Sequence, residues 1–455
     1  MHPIETPDPA TPSVGDRARG PAPGAPRRAA GFGFIMVTIL LDVMALGLVI
    51  PVWPDLIFGL LPAGAHRSDA GWWVGISGTI FALIQFFSQP VIGALSDKVG
   101  RRPIILASNL GTGIDWFVMA VAPTLPFLLV GRVISGATSA SIGTAFAYVT
   151  DITAPERRAG RFGLLGAMFG LGFVLGPALG ALVGDSHLGL TIPGIAVTLH
   201  GGTRMPFYVA GVLSLLNFAY GWFVLPESLP LDRRDAFRWS RANPVGSLTL
   251  LASHVDLLPL AFVAFLIQLA HYSLQTVFTL EAATRFHWHA SQIGLAMVLM
   301  GVASIVVQGG LAGPAVKLLK ERGAITVGLI FGAAGFAIYG FAPTGAVFLI
   351  GIPVMSLWGL AGPAINQMMT RRVAPNEQGK LQGANQSLVS IAGILGPAFY
   401  GSQFALFIGR WSHLGLPGEP FIASTVLLGL AFLASLRAAR DAERRGGSAP
   451  AEAVG

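Results

Sequence analysis

The chain has 455 residues, of which 53 % are hydrophobic and only 11 % charged, and its mean hydropathy is +0.66. Soluble domains carry about 25 % charged residues. There is too little charge to coat a soluble globule of this length, so the composition is that of a polytopic membrane protein. Cysteine is absent, which excludes a disulfide framework and a thiolate metal site.

The first thirty residues are rich in Pro, Gly, Ala and Arg and lack the apolar core of a signal peptide. A disordered cytoplasmic tail is expected over 1–30, and a second over 438–455. A membrane span needs about 20 apolar residues. Twelve runs qualify: 33–53, 73–96, 104–122, 125–150, 161–184, 206–226, 258–280, 291–313, 325–343, 346–370, 381–409 and 419–436. Helices are expected throughout, because no strand-length alternation recurs and backbone in lipid must satisfy itself.

The chain also repeats. A shift of 220 residues carries Gly93 onto Gly313, Arg102 onto Arg322, Pro155 onto Pro375, Gly176 onto Gly396 and Pro177 onto Pro397. One constant offset across loops and helices predicts two homologous six-helix halves, 31–226 and 258–437. The charged segment 227–257, with Pro230 and Pro244, is the linker. Two parallel repeats facing each other enclose a midplane cavity that opens to either side in turn.

The cations predict sidedness. With the N-terminus inside, 24 of the 29 Lys and Arg fall on the cytoplasmic side, four on the other, and Arg132 alone inside a span. The net charge of +7 therefore reflects membrane sidedness and anionic lipid heads, and no nucleic-acid partner is expected. The turn between the second and third runs is Gly93-Ala94-Leu95-Ser96-Asp97-Lys98-Val99-Gly100-Arg101-Arg102-Pro103. Its turn formers and three cations suit a tight cytoplasmic connection. Asp97 can face Arg101 or a neighbouring helix N-terminus, and a contact of that kind reads as a gate latch. Plain turn chemistry with cytoplasmic positive charge explains Lys98 and Arg102, but it explains Asp97 poorly.

Charge inside a bilayer is costly and marks function. Three such residues are expected, Asp42, Asp115 and Arg132, and none in the last six spans. Asp115 and Arg132 lie eight residues either side of the Pro123–Thr124 turn. They are therefore level on antiparallel neighbours, and a buried ion pair between them is expected, serving either coupling or a static hairpin. Asp42 has no evident partner in its own span. A lone desolvated carboxylate suits proton uptake; satisfaction by neighbouring backbone is the plainer reading. Gly172, Gly176 and Gly180 bare one helix face for close packing, with a kink at Pro177, and Gly393, Gly396, Pro397 and Gly401 mirror it. Gln85, Gln268, His271, Tyr272, Gln275, Asn366 and Gln367 are uncharged polar residues within spans. Gln268, Tyr272 and Gln275 share one face at i, i+4, i+7. With 29 Phe, they suit an amphipathic, largely apolar substrate, although interhelical hydrogen bonding is the plainer role for any one of them.

The pattern G-x-L-S-D-x-x-G-R-R-P resembles the helix 2–3 loop of major facilitator superfamily transporters. Leu41 to Pro54, Gly131-Arg132-Val133-Ile134-Ser135-Gly136, Ala147 to Thr153, Gly172 to Gly180, Leu225-Pro226-Glu227-Ser228 and Arg285-Phe286-His287-Trp288 resemble its tetracycline-resistance branch. The resemblance implies the twelve-helix major facilitator fold and no enzymatic activity. It implies a monomeric inner-membrane antiporter that exports a small molecule against protons, with no cofactor beyond the proton. It further implies coupling by Asp42, Asp115 and Arg132. Gating falls to Gly93, Ser96, Asp97, Gly100, Arg101 and Arg102, and to the helix 5 face at Gly172, Gly176 and Pro177, which seals the periplasmic side. Three positions depart from the branch. Ala181 replaces the last Gly of the helix 5 motif, Gln268 aligns with the branch histidine with His271 nearby, and Gly332 stands where helix 9 carries an acid. The departures point away from tetracycline itself. A proton-coupled importer or facilitator of a metabolite, and a receptor-like homologue that transports nothing, are the alternative functions. No G-x-x-x-x-G-K-[ST] loop is present, so ATP hydrolysis by that route is excluded.

Overall fold

The computed structural model describes residues 25–139, 141–184, 189–191, 198–234, 236, 237, 239, 254, 257–373 and 377–446. Residues 1–24 and 447–455 of the two expected tails, and Arg238, Arg241 and Pro244 of the expected linker, lie outside that set.

The first half comprises α1 (Ala25–Val49), α2 (Trp53–Gly59), α3 (Arg67–Val99), α4 (Arg101–Val121), α5 (Leu125–Thr138), α6 (Ser141–Ile152), α7 (Pro155–Gly184) and α8 (Met205–Val224). The second comprises α9 (Leu258–Arg285), α10 (Ala290–Ile305), α11 (Ala312–Phe341), α12 (Gly345–Ser356), α13 (Ala361–Thr370), α14 (Gln378–Ile408) and α15 (Glu419–Gly446). Proline opens several of them, at Pro54, Pro126, Pro206 and Pro259. Its fixed φ suits a first turn, where the missing N–H is not needed.

Local structure departs from the apolar runs in five places. A short helix, α2, follows the first span. The fourth and tenth spans are each broken, after Thr138 and by a 3₁₀ turn over Leu357–Leu360. These breaks are related by the same 220-residue offset. Between the seventh helix and α8 runs a two-stranded antiparallel ribbon, β1 (Gly189–Thr191) with β2 (Thr198–His200), in a chain expected to have no strands. Finally, the helical run from Ala290 to Phe341 is 52 residues long and joins α10 to α11 through a π-helical turn, Val306–Leu311. Straight, it would reach about 78 Å, more than twice the hydrocarbon core. Lys320 leaves helical geometry (φ 56°, ψ 173°) and divides it. The eleven long apolar helices among the described residues therefore make the twelve passes expected.

Within the first half α1 packs on α7 and α8, and within the second α9 packs on α14 and α15. The halves meet through α3 against α14 and through α7 against α10. Each pairing in one half has its counterpart 220 residues on, so the repeat in the sequence is a repeat in space. The end of the bundle carrying Lys98, Arg101 and Arg102 is called the basic end below.

Among the described residues, the tightest contacts between the halves lie towards the other end. Side-chain-free glycines mark it. A Cβ on Gly75 would lie 2.6 Å from the Pro397 carbonyl, one on Gly78 2.8 Å from the Pro397 ring, and one on Gly301 2.6 Å from Val174. By contrast Gly93, Gly160, Gly163, Gly166, Gly309, Gly310 and Gly313, towards the basic end of the same helices, have open space around them. Helix α2 adds to the closed end: Ile57 is fully buried in the second half's core, with Trp53, Phe58 and Leu61 packed beside it. The bundle is thus closed at one end and cleft at the basic end.

Candidate functional site

Asp42, Asp115 and Arg132 lie six or seven residues from the closed-end termini of α1, α4 and α5. At 1.5 Å per residue all three sit about 10 Å inward, in one layer. That much follows the sequence reading. The expected Asp115–Arg132 ion pair does not form. Asp115 is fully buried, and its Oδ2 accepts a hydrogen bond from Ser135 Oγ, while Oδ1 has no partner. A Cβ on Gly131 would stand 3.1 Å from that Oδ1. Asp115 therefore faces the Gly131–Ser135 stripe of α5. Arg132 follows Gly131 and so points about 100° around the helix. Its guanidinium lies 4.5 Å over the Trp53 ring and 5.7 Å from Phe81, with Nη2 2.6 Å from Met119 Sδ. The two residues are level but on different faces. Asp42, expected to lack a partner, is half-buried and engages one.

At the basic end Arg101 binds three groups. Its Nη2 lies 2.7 Å from Asp97 Oδ1, its Nε 3.2 Å from Asp151 Oδ2, and its Nη1 2.5 Å from Ser96 Oγ. Asp97 thus faces Arg101, one of its two expected partners. The helix N-terminus is served by a residue the sequence reading gave no role, Glu227, which accepts from the backbone N–H of Arg101 (2.9 Å) and Arg102 (3.3 Å). These are first-turn donors of α4, which lack partners within the helix. Gly100 makes the approach possible: its φ is +108°, and a Cβ there would come 2.8 Å from Arg234 Nη2 and collide with Glu227. Ser228 Oγ donates to Asp151 (3.1 Å) and closes the ring. All these groups belong to the first half or to the start of the linker, none to the second half, and the Asp97–Arg101 contact is intact while that end stands open. The latch reading is corrected accordingly. This contact braces the α3–α4 turn; it does not tie the halves together.

The bare face of α7 packs on α1. A Cβ on Gly172 would be 2.8 Å from the Leu40 carbonyl, and one on Gly176 2.6 Å from that of Met44. The adjacent face of α7, with Val174, Pro177 and Ala181, meets Gly294 and Gly301 of α10. Gly172 and Gly176 therefore join helices within the first half, and Pro177 reaches the other half. In α14, Gly393 and Gly396 receive Tyr272, whose ring carbons would stand about 3 Å from an added Cβ, while Pro397 and Gly401 meet α3.

The expected substrate residues disperse. Gln85 donates to Ser139 (2.9 Å), and Asn366 accepts from Gln382 (3.2 Å). The His271 ring lies 5.6 Å from Trp358. Tyr272 is a packing residue, and Gln268 is half-buried while Gln275 is exposed. At Gly332, a side chain would meet Trp358 and Leu428 at 2.9 Å, so the indole fills the place of the acid.

The expectation of no buried charge in the second half is wrong. Glu281 in α9 is fully buried and pairs with Arg285 (3.4 Å). It falls one residue past the apolar run counted as a span. Its Glu-x-x-x-Arg spacing was the available signal.

A closed–open bundle of two six-helix repeats now stands beside a sequence match. The family model of the Major Facilitator Superfamily matches residues 33–397. The chain belongs to that superfamily. It is a transporter rather than an enzyme, and its motifs place it beside the tetracycline-resistance branch. It is 35 % identical over 390 residues to the class C tetracycline resistance protein of Escherichia coli, covering 84 % of this chain and 91 % of the relative. It is 28 % identical over 400 residues to the class B protein of the same species, covering 88 % and 94 %. Among solved structures it resembles a bacterial homologue of the human lysosomal transporter Spinster, inward-facing and unoccupied (TM-score 0.71, 18 % identity, 92 % and 98 % covered). It also resembles the human organic anion transporter MFSD10 (TM-score 0.64, 23 % identity, 90 % and 99 % covered). These two likenesses speak for the fold.

Proposed function

We propose that this superfamily member is a proton-coupled antiporter of a bacterial inner membrane, exporting a hydrophobic or amphipathic small molecule. The basic end is then cytoplasmic, as are both termini, and the structure faces inward. The observation that carries the reading is the layer of Asp42, Asp115 and Arg132. It lies just inside the closed end of a bundle that is cleft at the other. The relatives' role in tetracycline resistance supports export.

In this reading cargo enters from the cytoplasm between α3, α7, α10 and α14. Leu83 and Phe87 on α3 and Leu164 and Phe169 on α7 are large and exposed along those helices, which suits an apolar solute. Asp42 and Asp115 exchange protons with the cleft when it opens. Arg132 links the acids to the closed end. In this state its guanidinium is held over Trp53, at the start of the α2 helix that closes the far side. A turn towards ionised Asp115 would release Trp53, so deprotonation and outward opening are coupled. The protein works as a monomer, each chain holding its own acids and cleft.

The test is transport in proteoliposomes with an imposed pH gradient and a panel of amphipathic compounds, tetracycline included. Wild-type protein accumulates its substrate against the gradient. Asp42→Asn remains in the membrane and loses gradient-driven accumulation. Full response of that variant to the gradient would remove Asp42 from the coupling, and movement of substrate in the same direction as protons would favour an importer.

A further inference from the structure

The closed end of the second half holds a group of charges with no place in the scheme above. Arg285 closes the α9 helix and donates to the carbonyls of Tyr339 (2.9 Å), Gly340 (3.2 Å) and Ala342 (2.8 Å), capping the C-terminus of α11. It also reaches Glu281 Oε2. Glu281 Oε1 is buried and has no partner. Glu419 stands in the first turn of α15, and its Oε2 is likewise buried and unpartnered. A Cβ on the preceding residue, Gly418, would lie 2.6 Å from Arg285 Nη1, so α15 begins directly against the guanidinium.

The first half performs the same capping without acids. Arg204 donates to the carbonyls of Ala120 (2.7 Å) and Ala122 (2.8 Å), which are the repeat equivalents of Gly340 and Ala342. Among the described residues no carboxylate accompanies Arg204. Capping a helix end therefore does not call for Glu281. A fully buried carboxylate is expensive unless its charge is balanced. Arg285 balances one negative charge, and the cluster contains two carboxylates. The other titratable groups packed round it are Tyr339 of α11 and Tyr400 of α14, and Tyr400 Oη is bonded to Ser424 (2.9 Å). Neither supplies a positive charge. One further positive charge makes the site neutral, and two carboxylate oxygens without partners are there to take it.

We propose that Glu281 and Glu419 hold one proton between them, forming a second acid site in the C-terminal half, reached from the closed end. A cleft of about 370 Å³ opens beside it, lined by Thr284, Arg285, Phe286, Pro343 and Pro417. Water in that cleft delivers the proton to a carboxylate oxygen, and the O–H bond formed is broken again when the proton returns. The site is separate from Asp42 and Asp115 and stands whether or not those residues couple transport.

The test needs neither substrate nor gradient. Infrared difference spectra of the full-length protein in detergent, taken as pH is raised from mildly acid to mildly alkaline, report protonated carboxyl groups directly. A parallel titration counts protons released. The wild type shows a carboxyl C=O band that Glu281→Gln removes, with release lowered by about one proton per chain. Glu419→Gln shifts or removes the same band, and it decides the matter should Glu281→Gln fail to fold. Asp42→Asn retains the band, which separates this site from failure of the antiport reading. A band and proton count unchanged in Glu281→Gln or Glu419→Gln, or a band that follows sodium concentration rather than pH, would overturn the proposal.

Discussion

The two halves solve the same turn with opposite charges. Carried forward by 220 residues, Asp97, Gly100, Arg101 and Asp151 become Lys317, Lys320, Glu321 and Arg371. Arg101 pairs with Asp151 at 3.2 Å, and Glu321 pairs with Arg371 at 2.8 Å. Both turns contain a residue at positive φ, Gly100 at +108° and Lys320 at 56°. An ion pair has the same energy when its signs are exchanged, so the repeat preserves the contact and not the residues. What differs is burial. The Arg101 side chain is 12 % exposed and Arg371 66 %. Only the first turn is enclosed by Glu227, Ser228 and Arg234. Equal geometry therefore has unequal weight: the first turn is a structural brace, the second a surface contact.

The largest effect is expected where that brace is tightest. Gly100→Ala places a side chain in a backbone region nearly restricted to Gly and displaces Glu227 from α4. A loss of about 3 kcal/mol is expected, read as a lower Tm in detergent together with reduced transport. Arg101→Ala leaves Asp97 and Asp151 facing each other without a cation. About 2 kcal/mol and most transport should be lost. Equal tolerance of both changes would show that the ring of contacts is not a brace.

In the second turn the expected effects are smaller and one has the opposite sign. Lys320→Gly relieves a non-glycine residue at positive φ and should raise Tm, by an amount corresponding to about 1 kcal/mol. Arg371→Ala removes an exposed partner and should cost roughly 0–1 kcal/mol. A loss from Arg371→Ala as large as that from Arg101→Ala, measured by the same unfolding assay, would end the distinction between the two turns.

Depth along the membrane was legible in the sequence; direction around a helix was not. The positions of Asp115 and Arg132 relative to the Pro123–Thr124 turn put both at one level, as the structure has them. Whether they touch depends on helix rotation, and Gly131 rather than Arg132 faces Asp115 because it has no side chain to hold the helices apart. Tyr272 shows the same limit. Its place on a polar face suggested substrate, and the bare face of α14 opposite it made it a packing residue. Glu281 lies one residue past the hydrophobic run, so hydropathy gave no sign of it, and it is buried in a helix that packs on α14 and α15, far away in the chain.

By itself the sequence determined the class, the twelve passes, the two halves and their internal repeat, because these follow from hydrophobic length and a constant spacing that any bilayer reads alike. The side facing the cytoplasm was expected on the same kind of ground, from where the cations fall. Tertiary structure alone decided which end is closed, which charges pair, and that a carboxylate lies buried at the end of α9. Those depend on which helix faces meet, and that choice is made by small residues such as Gly75, Gly131 and Gly301. Their effect is the absence of a side chain, so it becomes visible only against the neighbour that takes its place.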